Sequence, residues 1–65
     1  MPLVEIHILR GRTAEQKRKL LEAVTRAVHE SLEAPLPSIR VWIQEFGAEE
    51  YMVAGRLRSD DDPGS

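Results

Sequence analysis

The chain contains no cysteine. Disulfides and thiolate zinc sites are thereby excluded. Its two histidines, His7 and His29, lack a metal-ligand spacing, so no metal is expected. Aromatic residues are scarce, with one each of tryptophan, tyrosine and phenylalanine. Basic residues hold no majority either: nine Lys and Arg stand against eleven Asp and Glu, a net charge of −2. A nucleic-acid binder shows a basic face and base-stacking aromatics, so no nucleic-acid partner is expected. No apolar run approaches the length of about 20 residues that spans a bilayer, and no segment has the makeup of a secretory leader. No membrane association and a cytoplasmic location are therefore expected. Size is short as well: a chain near 60 residues buries only about 60% of its unfolded surface. Scaffolds this small rely on disulfides, a metal or self-association. With the first two set aside, a homo-oligomer is expected.

What is present begins with an alternating strand. Over residues 3–9, Val4, Ile6 and Ile8 point one way and Leu3, Glu5, His7 and Leu9 the other. The second face is half apolar, as suits contact with another subunit. Glu5 and His7 share it and are too few for a metal site, so a hydrogen-bonded pair at an interface is expected. Arg10-Gly11-Arg12 turns the chain. Thr13 and Gln16 then form a capping box, which predicts a helix from about Ala14 to about Leu32. Its apolar stripe is Leu20, Leu21, Val24, Ala27, Val28 and Leu32, with Glu15, Lys17, Arg18, Lys19, Glu22, Arg26 and Glu30 on a solvated outer face. His29 suits the helix C-terminus, where a cation is mildly favoured. Pro35 and Pro37 end the helix.

Residues 39–46 read as a second strand, with Ile39, Val41 and Ile43 on its apolar face and Arg40, Trp42 and Gln44 on the other. Strand, helix and strand make a right-handed βαβ unit with parallel strands, an α/β fold with one sheet face bare. Residues 51–55 suit a short third strand or hairpin reaching a neighbouring subunit. One domain over residues 2–57 is expected, followed by a disordered acidic tail over 58–65.

Pro2 stands apart chemically. Methionine aminopeptidase generally removes Met before so small a residue, leaving proline as a secondary amine at the chain start. An ordinary α-amino group has a pKa of roughly 7.7–8.0. Cations and apolar walls lower it, into the range where a general base works near neutral pH. Proline also suits the first position of an edge strand, so the dipeptide alone does not identify a base. If Met1 stays, the nitrogen is an amide and cannot act as one.

Taken in register, Pro2, Ile6-His7-Ile8-Leu9, Gly11-Arg12, Glu15-Gln16-Lys17, Ser31-Leu32-Glu33-Ala34-Pro35-Leu36 and Ser38-Ile39-Arg40-Val41 resemble the 4-oxalocrotonate tautomerase family, the short-chain branch of the tautomerase superfamily, from Pro2 to about Leu57. The resemblance implies a tautomerase/MIF-like βαβ subunit that pairs into dimers, three of which form a hexamer. It implies an isomerase acting on a small dienol carboxylate such as 2-hydroxymuconate, with neither cofactor nor metal. Pro2 would be the general base. Arg12 would bind the remote carboxylate, and Arg40, from an adjacent subunit, would polarise the 2-oxygen and its carboxylate. Arginine suits both tasks because a guanidinium stays charged and grips a carboxylate with two parallel hydrogen bonds. Leu9 and Tyr51 would line the substrate site. Tyr51 replaces a phenylalanine of the best-studied members, Trp42 an aliphatic residue and Arg10 an acid. The pathway implied is aromatic-ring catabolism or secondary-metabolite biosynthesis. Two alternatives stand beside this reading. One is hydrolytic dehalogenation of a halogenated acrylic acid, with Glu5, Glu45 or Glu50 activating water. The other is a non-catalytic oligomeric module that retains Met1.

Overall fold

Leu3–Leu9 form β1 and Ala14–Leu32 form α1; Arg40–Phe46 form β2. A short hairpin of β3 (Met52–Val53) and β4 (Arg56–Leu57) follows, then a single helical turn, α2, at Arg58–Asp61. The computed structural model describes residues 1–61. β1 and β2 pair in parallel without slippage, from Leu3 opposite Arg40 to Leu9 opposite Phe46. The ladder gains a hydrogen bond at each end. Arg40 N–H donates to the Pro2 carbonyl at 3.0 Å, and Arg10 N–H donates to the Phe46 carbonyl at 2.8 Å. The expected α/β architecture, with its βαβ unit and C-terminal hairpin, is therefore present.

Local chemistry explains the boundaries. Gly11, at φ 126°, turns the chain out of β1, a conformation that L side chains rarely adopt. Thr13 N–H donates to Gln16 Oε1 (2.9 Å) and Gln16 N–H to Thr13 Oγ1 (3.1 Å), the reciprocal bonds of the capping box that start α1. The helix stops earlier than its prolines require. Glu33 caps it in the left-handed region at φ 56°, and His29 Nδ1–H donates to the Ala34 carbonyl at 2.7 Å. Pro35 and Pro37 then keep the chain from resuming the helix and lead it through a 3-10 turn at Leu36–Ser38.

α1 covers one sheet face. Val4, Ile6, Ile8, Val41 and Ile43 are half-buried there, as are Leu20, Leu21, Val24 and Val28 of the helix. Ile39 is the one buried hydrophobic residue among those described. The expected stripe was too wide: Ala27 is exposed, and so is Leu32, the last residue of α1. It was also too apolar, since Lys17 is half-buried where an outer, solvated position was expected. Its spacing to Leu20, Leu21, Val24 and Val28 keeps it in the stripe. Met52 and Val53 join Leu3, Leu32, Leu36 and Trp42 among the exposed large apolar residues. In a chain with so small a core, that much bare apolar surface marks contact sites.

The expected disordered tail does not begin at residue 58. Arg58 N–H donates to the Tyr51 carbonyl at 2.8 Å, which ties α2 back across the hairpin. Residues 62–65 of that expected tail lie outside the described residues.

Candidate functional site

The parallel register divides the expected site residues between two ends of the sheet. At the first end Pro2, half-buried, is fixed through its carbonyl to the backbone of Arg40. Met1 extends into solvent beyond it, 79% exposed, and with Met1 attached the Pro2 nitrogen is an amide. Alternation sets Pro2 on the helix-covered face with Val4, whereas Arg40, opposite Leu3, belongs to the bare face. The Arg40 guanidinium folds back there, its Nη1–H donating to the Pro37 carbonyl at 2.6 Å.

The second end gathers the other residues. Arg12 follows the Gly11 turn, is exposed, and has no hydrogen-bond or ion-pair partner among the described residues. It lines a cleft of about 490 Å³ together with Ile8, Leu9, Gln16, Lys17 and Leu20. Lys17 Nζ lies 3.3 Å from Glu45 Oε1, an ion pair joining α1 to β2. Tyr51, at the hairpin entrance, lays its ring 5.2 Å from that of Phe46 at 45°, a tilted geometry that aromatic pairs favour. At roughly 3.3 Å per residue, β1 puts on the order of 25 Å between Pro2 and the Arg12 turn. One chain thus brings Leu9 together with Arg12, places Tyr51 at the same end, and holds Pro2 with the Arg40 backbone. It does not bring Pro2 to Arg12.

The middle of the bare sheet face carries a polar chain. Trp42 Nε1–H donates to Glu5 Oε1 at 2.9 Å, and His7 Nε2 lies 2.6 Å from Glu5 Oε2. The expected Glu5–His7 pair is formed and has acquired a third member. The carboxylates considered as water activators are all engaged: Glu5 as described, Glu45 by Lys17, and Glu50 by the Gly47 N–H at 2.9 Å. Glu45 and Glu50 also stand at the end remote from Pro2.

The larger cleft, about 620 Å³, lies along α1 by Leu21, Thr25, Arg26, His29 and Leu36. None of the expected site residues lines it. His29 there is committed to the Ala34 carbonyl. Among the described residues no group of three or more His, Cys, Asp or Glu is placed to hold a metal ion, and no helix is long and apolar enough to cross a membrane.

Sequence reasoning missed Lys17 as a cleft residue. The signal was its position in the helical stripe, four residues before Leu21, which its charge obscured.

Comparison with known proteins bears on all of this. A family model described as tautomerase enzyme matches residues 2–61, so that the match begins on Pro2. The 2-hydroxymuconate tautomerase of Pseudomonas putida is 46% identical over 59 residues, covering 91% of this chain and 94% of that protein. The 2-hydroxymuconate tautomerase of Bacillus subtilis is 48% identical over 60 residues, covering 92% and 97%. Among solved structures, a heterohexamer 4-oxalocrotonate tautomerase from Chloroflexus aurantiacus superposes with a TM-score of 0.90 at 32% identity, covering 95% of this chain and all of that one.

Proposed function

The chain belongs to the tautomerase enzyme family, and from that premise we propose that it transfers a proton between the enol and keto forms of a small unsaturated 2-hydroxy carboxylic acid of the 2-hydroxymuconate type. Once Met1 is removed, the Pro2 ring nitrogen is a secondary amine with a free lone pair. It accepts the proton of the enol hydroxyl and returns one to carbon 5, so that an O–H bond is exchanged for a C–H bond and the product is the conjugated ketone. Arg12 binds the remote carboxylate. Arg40 holds the carboxylate next to the reacting oxygen and stabilises the charge that develops on it. Preorganised donors of this kind contribute roughly 3–4 kcal/mol each in mutational studies. Leu9 and the Tyr51 ring supply apolar wall, which with the guanidinium groups favours a neutral amine.

The observation that carries this reading is the start of the family match at Pro2, the residue the ladder anchors at the head of β1. The division of the site between two ends supports self-association as part of it. Both strands of the two-stranded sheet are edges. A two-fold axis pairs an edge with its own copy in antiparallel sense and so lays the proline end of one chain beside the arginine end of the next. A hexamer of three such dimers is the assembly proposed, with Arg40, on the face away from its own Pro2, serving a neighbour's site.

The test is intact-mass measurement of the protein as cells make it, alongside turnover of 2-hydroxymuconate by the wild type and by Pro2→Ala. The expected results are a mass short by one methionine and a loss of roughly 10²–10⁴-fold in the variant. Undiminished turnover in Pro2→Ala overturns the reading, and a retained Met1 leaves a non-catalytic module in its place.

A further inference from the structure

The arginine-end cleft holds more cationic groups than the proposed chemistry uses. Its walls are Ile8, Leu9 and Leu20, and its polar side chains are Arg12, Gln16 and Lys17. Gln16 Oε1 is committed to the Thr13 N–H. Arg12 has no partner among the described residues, and Lys17 has one, Glu45 at 3.3 Å. Two positive charges therefore line the cleft and a single carboxylate offsets them. An ammonium carries three N–H donors, and Glu45 occupies one.

A carboxylate presents about four lone-pair sites on its two oxygens. The planar fork of Arg12 satisfies two of them, and a second donor from the side satisfies more. An ion pair that only fastened α1 to β2 could be packed between the two elements. This one instead leaves both side chains partly exposed, Lys17 31% and Glu45 27%, and Lys17 lines an open cleft. We propose that Lys17 is a second cation for the remote carboxylate, held in place by Glu45, and that the pair sets a preference for dicarboxylate over monocarboxylate substrates. The inference rests on the tautomerase reading and concerns the far end of the substrate, away from the proton transfer.

The experiment compares kcat/KM for 2-hydroxymuconate, a dicarboxylate, and 2-hydroxypenta-2,4-dienoate, which lacks the remote carboxylate. In Lys17→Met the ratio of the two falls roughly tenfold, the size expected for one hydrogen bond to a charged group, and the fall lies in KM for the dicarboxylate. Lys17→Arg, which keeps a cation there, retains most of the ratio. Glu45→Gln raises it, since the cleft gains net positive charge. Because Lys17→Met leaves Glu45 without its partner, the double variant Lys17→Met/Glu45→Gln serves as the control for folding, and the lowered ratio persists in it. Equal losses on both substrates, or a double variant with the wild-type ratio, overturn the inference. Failure of the tautomerase reading is separable from this. A wild type that turns over neither dienol removes that reading, while calorimetric titration with muconate still reports on the cleft. Tighter muconate binding by the wild type than by Lys17→Met sustains the inference, and equal binding ends it.

Discussion

Both ends of the β1–β2 pair are closed by a ladder hydrogen bond, but Pro2 lies on the ladder itself, whereas Arg12, Lys17 and Tyr51 lie beyond it. Pro2 owes its place to a ladder hydrogen bond with Arg40 and lies next in register to the buried Ile39. Arg12, Lys17 and Tyr51 owe theirs to a glycine turn, an ion pair and a ring contact. The difference suits the two tasks proposed for them. A base must be fixed to within a fraction of an ångström of the proton it takes, whereas a carboxylate can be gripped by mobile cations over a wider range. In the proposed reaction the separation of the ends leaves neither complete alone, so assembly and activity are expected to be coupled.

The sharpest way to break that comparison is to disable each end in a different subunit. Pro2→Ala and Arg12→Ala are each expected to be poorly active, the first by roughly 10²–10⁴-fold. Arg12→Ala loses about tenfold or more, mostly in KM, because one bidentate charged contact is gone. Unfolding the two variants together and refolding them lets subunits mix. If each site takes its proline from one chain and Arg12 from a two-fold mate, half of the randomly formed dimers are hybrids, and each hybrid has one intact site. About a quarter of wild-type activity then returns. Mixtures no more active than the parent variants would show that proline and arginine act from the same chain.

Much of this fold was legible because local signals agreed. The bounds of β1 follow from its alternation and from Gly11, and those of α1 from the Thr13–Gln16 capping box. What was not legible was relational. That Leu9 and Arg12 share a cleft while Pro2 is elsewhere depends on strand length and parallel register, which no single residue encodes. Lys17 was misplaced because charge was taken as a sign of exposure, although its partner Glu45 alternates onto the helix-covered face of β2 with Val41 and Ile43. The helix end at about Leu32 was legible from the prolines that follow and falls there, although the cap itself, Glu33 in the left-handed region, carries no sequence signature, since such caps favour glycine. Likewise the composition of residues 58–61 gave no hint of the Arg58–Tyr51 hydrogen bond that lets a helical turn form.

Between the ends, the Trp42–Glu5–His7 chain offers a lesion that touches neither. Trp42→Phe keeps a ring on the sheet face and removes the indole N–H that Glu5 accepts. The group is partly exposed, so water replaces some of the bond, and the expected cost is about 0.5–1 kcal/mol in unfolding experiments. The KM values for the dicarboxylate and the monocarboxylate are expected to move together, if at all. A change in their ratio as large as that from Lys17→Met would mean that the middle of the sheet is part of the site and that the division into two ends is drawn in the wrong place.

The smallest effect lies in the hairpin that carries Tyr51 into the arginine end. Its two-residue turn, Ala54-Gly55, has φ of 54° and 82°, both in the left-handed region that primed hairpin turns require. Gly55 adopts this freely, but for Ala54 the left-handed conformation costs roughly 1 kcal/mol or somewhat more. Ala54→Gly relieves that strain yet adds about 0.5–1 kcal/mol of unfolded-state entropy, so its net effect is close to zero. Ala54→Asn relieves much of the strain without that entropic loss, because asparagine visits the left-handed region routinely and Asn-Gly is a preferred pair for such turns. Its expected gain is about 0.5 kcal/mol, or roughly 2–4 °C in Tm for a chain of this length, measured at one fixed protein concentration because association contributes to Tm. The expected order of stability is Asn above Gly and Ala, with Gly55→Ala below all three since it forces a second Cβ into the same region. Activity at saturating substrate should follow none of this order, because the turn supports the wall and touches no carboxylate. If kcat instead tracked the stability of the turn, the hairpin would be positioning Tyr51 against the reacting atoms, and the arginine end would then contribute to the proton transfer itself.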